Sequence, residues 1–122
     1  CVYSCPELAC TGLTEEAAQR VGKAYDVGVF PLAANGRALI MNGGNGVIKV
    51  LVGKTHREIL GVHIYGPRAT DLISEACLAV GMEATSDEVL ATIHGHPTLG
   101  EALREAVLAA EGRAVHLPPA KE

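Results

Sequence analysis

The run His94-Gly95-His96-Pro97-Thr98-Leu99-Gly100-Glu101 puts two imidazoles and a carboxylate within eight residues, the densest chemistry in the chain. An imidazole titrates near neutral pH, so it can take a proton from a reacting group and return it. A carboxylate on one ring nitrogen fixes the tautomer and makes the other nitrogen a better base. The spacing of Thr98 and Glu101 suits a capping box, in which a Glu side chain folds back over the start of its helix. Folded back in this way, Glu101 comes near the residues just ahead of the cap, where His96 stands. A plainer reading also fits: Glu101 only returns a hydrogen bond to the cap, and the histidines are polar loop residues.

The elements that must position this run follow from pattern and punctuation. Leu99, Ala102, Leu103, Ala106, Val107 and Ala110 recur at helical spacing and predict a final helix packed on one face. Thr70 to Val80 reads as a helix ending at Gly81, with apolar residues on two sides that call for two partners, the sheet and another subunit. Between these two helices, Thr85 to Leu90 is a short helix with a Thr85 and Glu88 capping box. Val47 to Val52 and Ile59 to Tyr65 are β-branched runs that form a hairpin. Upstream, Tyr25 to Ala33 reads as a strand, and Asn35 caps a short helix through Ile40 that the Gly-rich run 42–46 must end. Thr14 caps a helix with Glu15 and Glu16 in its first turn and Gly22 at its stop. Pro6 confines the apolar pieces around it to an edge strand or two short strands. The order predicts an α+β fold, an antiparallel β-sheet with helices packed on it, as one domain over residues 1–122.

Composition removes several function classes. Aromatic residues are only 3%, net charge is −4, and no Lys or Arg run occurs, so neither nucleic acid nor an anionic membrane is an expected partner. No apolar stretch approaches the roughly 20 residues of a membrane helix, and no basic, apolar leader opens the chain. A cytoplasmic protein is the expectation. The apolar start at Cys1 suggests a piece of something larger.

The His94 to Glu101 run resembles the His-Pro-Thr-Leu-Ser-Glu signature of the pyridine nucleotide-disulfide oxidoreductase family, in its dihydrolipoamide dehydrogenase branch. The resemblance extends through Pro6-Glu7, Thr11 to Ala17, Phe30 to Ala38, Ile59 to Pro67 and Glu111 to His116, nearly the whole chain. It implies the C-terminal interface domain of a homodimer, with FAD and NAD bound in domains absent from this chain. No Gly-x-Gly-x-x-Gly fingerprint occurs here, so neither cofactor is expected to bind the piece, which alone is expected to be inactive. By resemblance, His96 is the general base that reaches the partner subunit's flavin and redox disulfide, and Glu101 orients it. Pro97 follows a cis bond beside that flavin, and His94 has a supporting place. The base would convert a thiol to the thiolate that attacks a disulfide. Association with a 2-oxoacid dehydrogenase complex belongs to the same picture. Alternatives are an interface domain of glutathione or mercuric reductase type, or a stand-alone association module without catalysis.

Other residues are read more plainly. Gly100 stands where the family has Ser, a change expected to loosen Glu101. The 42–46 loop is read as a turn and not a phosphate cradle. Cys5 and Cys10 share the spacing of the family's redox disulfide but fall on the wrong segment. They and Cys1 are read as buried or incidental thiols, against an accidental disulfide, a metal site or an oxidisable thiol, and Cys77 as packing. No metal is expected, since the Cys spacings fit no familiar zinc pattern. His56 is read as solvated, His63 as a sheet-surface or interface residue, and His116 as too near the Pro-rich end to have a role. In Asn35 and Arg37 only capping and hydrogen bonding are visible.

Overall fold

Strict alternation along the strands sorts their side chains onto two faces, and the computed structural model, which describes residues 1–118, shows what covers each. Four antiparallel strands, β1 (Glu7–Gly12), β2 (Tyr25–Pro31), β3 (Val47–Gly53) and β4 (Ile59–Gly66), lie in the order β1-β4-β3-β2. One face carries Ala9, Phe30, Ile48, Val50, Val62 and Ile64, all buried. Helix α3 (Ala69–Gly81) lies over β1 and β4, and α5 (Glu101–Ala110) lies over β2 and β3. Their inward residues Ile73, Ala76, Leu103, Ala106 and Val107 complete the main core. Each large aliphatic or aromatic side chain buried there contributes about 1.5–3 kcal/mol. The expected α+β class, antiparallel sheet and hairpin are present.

Gly28 sets how closely α5 can sit. A methyl group at that position would run into the Ala106 carbonyl oxygen and the Ala110 amide, so the helix backbone rests directly on β2. The helix that begins at Glu101 is thus fixed against the sheet by backbone contact.

The second face is covered only in part. Helix α1 (Glu15–Arg20), capped by Thr14, seats Ala18 on Leu51 and Leu60. Beyond it, the register Leu8↔Tyr65↔Val47↔Pro31 forms one row across the sheet, and Cys10↔His63↔Lys49↔Val29 forms the next. Leu8, Tyr65 and Val29 are exposed in these rows.

Two expectations need correction. Strand β2 stops at Pro31, and Leu32–Ala34 make a 3-10 turn that lets Asn35 cap α2 (Gly36–Asn42). Buried Leu32 continues the apolar run of β2, which is why the boundary was hidden in the sequence. Helix α3 ends at Gly81, as its sequence predicts, with left-handed Glu83 two residues beyond. All four cysteines are exposed and free, so neither burial nor packing describes them: alternation puts Cys10 on the uncovered sheet face, and Cys77 falls on the outward side of α3. Other readings match: α4 (Ser86–Ala91) has its capping box, and α2 ends at left-handed Gly43 in a turn. The tail from Val115 to Glu122, which its prolines keep from continuing the helix and which is expected to end frayed, is held at its start, where the Val115 and His116 amides bond Glu105; residues 119–122 lie outside those described.

Candidate functional site

Glu101 uses both carboxylate oxygens at the start of α5. Oε2 accepts the Thr98 amide N–H at 2.9 Å, and Oε1 lies 2.9 Å from His96 Nδ1. The Thr98 N–H is the main reason its carboxyl ionises below the ordinary value of 4.5; burial opposes, while the hydrogen bond and charge of His96, with a smaller pull from His116, add to it. A neutral His96 bonded this way donates from Nδ1 and keeps the Nε2 lone pair free. Its side chain is 82% exposed, so that lone pair can meet a group from outside the chain.

Only half of the expected box forms. The Thr98 hydroxyl donates to the Gly95 carbonyl at 2.7 Å and leaves the helix uncapped by a side chain. The helix opens instead with a tight turn, Ala102 N–H to Leu99 O at 3.0 Å, with Gly100 in ordinary right-handed geometry at φ −59. That conformation makes no special demand for glycine, and Glu101 keeps both of its hydrogen bonds with Gly100 in place.

The turn is tied to the rest of the fold on two sides. The His96–Pro97 bond is cis, as the resemblance implied. Asn35, almost buried, accepts the Ala38 N–H with Oδ1 as the α2 cap and donates from Nδ2 to the Thr98 carbonyl at 3.0 Å. His94 Nε2 lies 2.8 Å from Glu75 Oε1 on α3, and the ring is 8% exposed. So His96, Pro97 and Glu101 come together, while His94 anchors the preceding loop to α3. His63 sits on the sheet surface, 3.1 Å from the Leu13 carbonyl, and His56 is exposed, both as expected.

Sequence reasoning missed three participants. Asn35 showed its cap but not its second bond, and Glu75 gave no local signal at all. His116, dismissed for its place near the end, is held by Glu105 of α5 at 3.2 Å.

Fold and site define an α+β domain that displays an imidazole–carboxylate pair on its surface, beside a partly uncovered sheet. The family model "Pyridine nucleotide-disulphide oxidoreductase, dimerisation domain" matches residues 1–107. The chain belongs to that family. It is 49% identical over 116 residues to dihydrolipoyl dehydrogenase of Bacillus subtilis, covering 95% of this chain and 24% of that one. A leghemoglobin reductase of Vigna unguiculata is 44% identical over 108 residues, or 88% of this chain and 21% of its own length. Among solved structures, LpdA from Mycobacterium tuberculosis superposes with a TM-score of 0.81 at 25% identity, over 86% of this chain and 23% of that one. The HOCl-induced flavoprotein disulfide reductase RclA from Escherichia coli gives 0.80 at 27% identity, over 84% and 24%. The chain thus spans about a quarter of the length of these relatives. No helix among the described residues is long and apolar enough to cross a membrane.

Proposed function

We propose that this chain is the interface domain of a homodimeric, FAD- and NAD-dependent disulfide oxidoreductase of the dihydrolipoyl dehydrogenase type. The observation that carries the reading is the His96–Glu101 pair, with Nδ1 engaged and the rest of the ring exposed. That geometry suits a base whose substrate and cofactor lie on another subunit, because among the described residues the His96 side chain stays 82% exposed. When bound, the flavin supplies two-electron transfer between dithiol and nicotinamide. His96 accepts the thiol proton at Nε2, which leaves a thiolate able to attack a disulfide. Glu101 holds the ring and stabilises the imidazolium that results. Pro97 shapes the turn, and His94, through Glu75, fixes its approach. Cofactor groups would meet His96 and Pro97 from the partner subunit, and the dinucleotide sites lie in other domains.

Support for association comes from the row Leu8, Tyr65, Val47 and Pro31 on the partly uncovered sheet face. Membership of a 2-oxoacid dehydrogenase complex and a cytoplasmic setting belong to the same proposal.

The test joins this domain to its flavin- and nicotinamide-binding domains and measures oxidation of dihydrolipoamide by NAD. His96→Gln is expected to lower turnover by about 10²–10⁴, the range for a lost general base. Unchanged turnover removes His96 from the mechanism. The 122-residue chain mixed with both cofactors is expected to be silent, and turnover by it would overturn the division of labour proposed.

A further inference from the structure

Helix α2 turns most of its apolar surface outward. Its buried residue is Ala38, whereas Leu39 is 51%, Ile40 73% and Met41 41% exposed. A seven-residue helix cannot hold itself together in water, so packing must, and three large side chains left out of that packing form a patch fit for a partner. The patch runs into the turn that carries His96. Arg37 and Met41, four residues apart and so on one side of α2, line an open recess of about 480 Å³ with Arg68, Leu72, Pro97 and Leu99. Asn35, which caps α2, donates to the Thr98 carbonyl at 3.0 Å, so helix and turn are held as one surface. Charge marks the same place. Arg68 is held by Asp71 at 2.9 Å, whereas Arg37 makes no ion pair among the described residues.

We propose that the outward face of α2 is a dimer contact, where the partner subunit seats an apolar side chain over Ile40 and Met41 and a carboxylate against Arg37. The inference rests on the homodimeric reading given above and names the surface beside the base that the second subunit covers. Three observations favour that occupant. The family model that spans residues 1–107 describes a dimerisation domain, and α2 lies wholly inside that span. The recess begins at Pro97, the residue after His96, so a subunit that closes on the base also closes on the recess. A second copy of a chain with net charge −4 carries carboxylates in excess, the group that Arg37 lacks. In a two-fold dimer the contact occurs twice, so each substitution acts twice.

The test uses the full-length flavoenzyme and follows exchange of subunits between tagged and untagged dimers, a rate that tracks dissociation. Ile40→Gln keeps a good helix former and removes the apolar contact, and exchange is expected to quicken by about tenfold or more. Arg37→Gln should quicken it as well, with an effect that shrinks in high salt, as a contact between charges requires. Both side chains are exposed, so neither change removes a core contact. Exchange of the Ile40→Gln enzyme at the parent's rate overturns the inference. So does a loss of thermal stability without faster exchange, the result expected if another domain of the same chain covers α2. A parent enzyme that is monomeric ends the homodimeric reading first, before α2 is in question. His96→Gln serves as the control: it should exchange like the parent while losing turnover.

Discussion

Asn35 and Thr98, 63 positions apart, meet through a single hydrogen bond from the Asn35 amide to the Thr98 carbonyl at 3.0 Å. The same Asn35 side chain caps α2 with its oxygen. One nearly buried residue therefore joins the end of β2 to the turn that carries His96.

Asn35→Ala is expected to cost about 1–2 kcal/mol through the lost cap, and about 1 kcal/mol more through the lost tether. Urea denaturation of the flavoenzyme, monitored in this domain, checks the sum. Asn35→Asp keeps the cap acceptor and loses the donor to Thr98. Its turnover should fall while most of the capping stability remains, and a variant that loses neither refutes the tether.

Glu101→Gln removes charge but retains an oxygen for the Thr98 amide. Turnover should fall by roughly tenfold to a hundredfold, less than the ~10²–10⁴ expected for the base itself. Steady-state kinetics at pH 8 compare the two variants directly. An effect as large as that of His96→Gln would mean that the carboxylate does more than orient.

Four glutamates ionise below the ordinary value of 4.5. The leading causes are the Thr98 amide for Glu101 and the Thr85 hydroxyl for Glu88. For Glu58 and Glu111, burial pulls upward but is outweighed: by Lys23 and the backbone at Glu58, and by Ser86, Arg113 and Arg57 at Glu111. Since the folded values lie below the unfolded ones, their stabilisation is complete above pH 4.5 and is lost as pH falls through the depressed values. Glu101→Gln should thus destabilise near pH 7, and the gap to the parent should close on acidification. Urea midpoints across this range check the sign, and a gap that widens in acid contradicts it.

Gly28→Val places methyl groups where the Ala106 carbonyl lies. Helix α5 must lift away, at a cost of about 1–3 kcal/mol for overpacking. Because Glu101 starts that helix, turnover should drop together with thermal stability. A stable, fully active variant would show that the helix position does not govern the site.

Much of this architecture was legible in local pattern. The spacing from Leu99 to Ala110, the paired β-branched runs and the Thr14, Asn35 and Thr85 caps each encode an element within a few residues. His96 and Glu101 were readable because five positions separate them and a helix start folds one back on the other. What stayed hidden is what only tertiary packing creates. Glu75 meets His94 across 19 positions, Asn35 meets Thr98 across 63, and the Glu105 contact with His116 depends on a strap that no periodicity announces. Cys77 misled because an apolar helix suggests packing all round, whereas its own direction on α3 is outward.

Glu101 and Glu105, one turn apart on α5, repel each other along a helix whose other charged residue is Arg104, a penalty of a few tenths of a kcal/mol. Each is answered by a histidine from a different flank, one before the helix and one after it. The helix is therefore tied to the chain on either side of it, and loosening either segment would strip one of its carboxylates of partners.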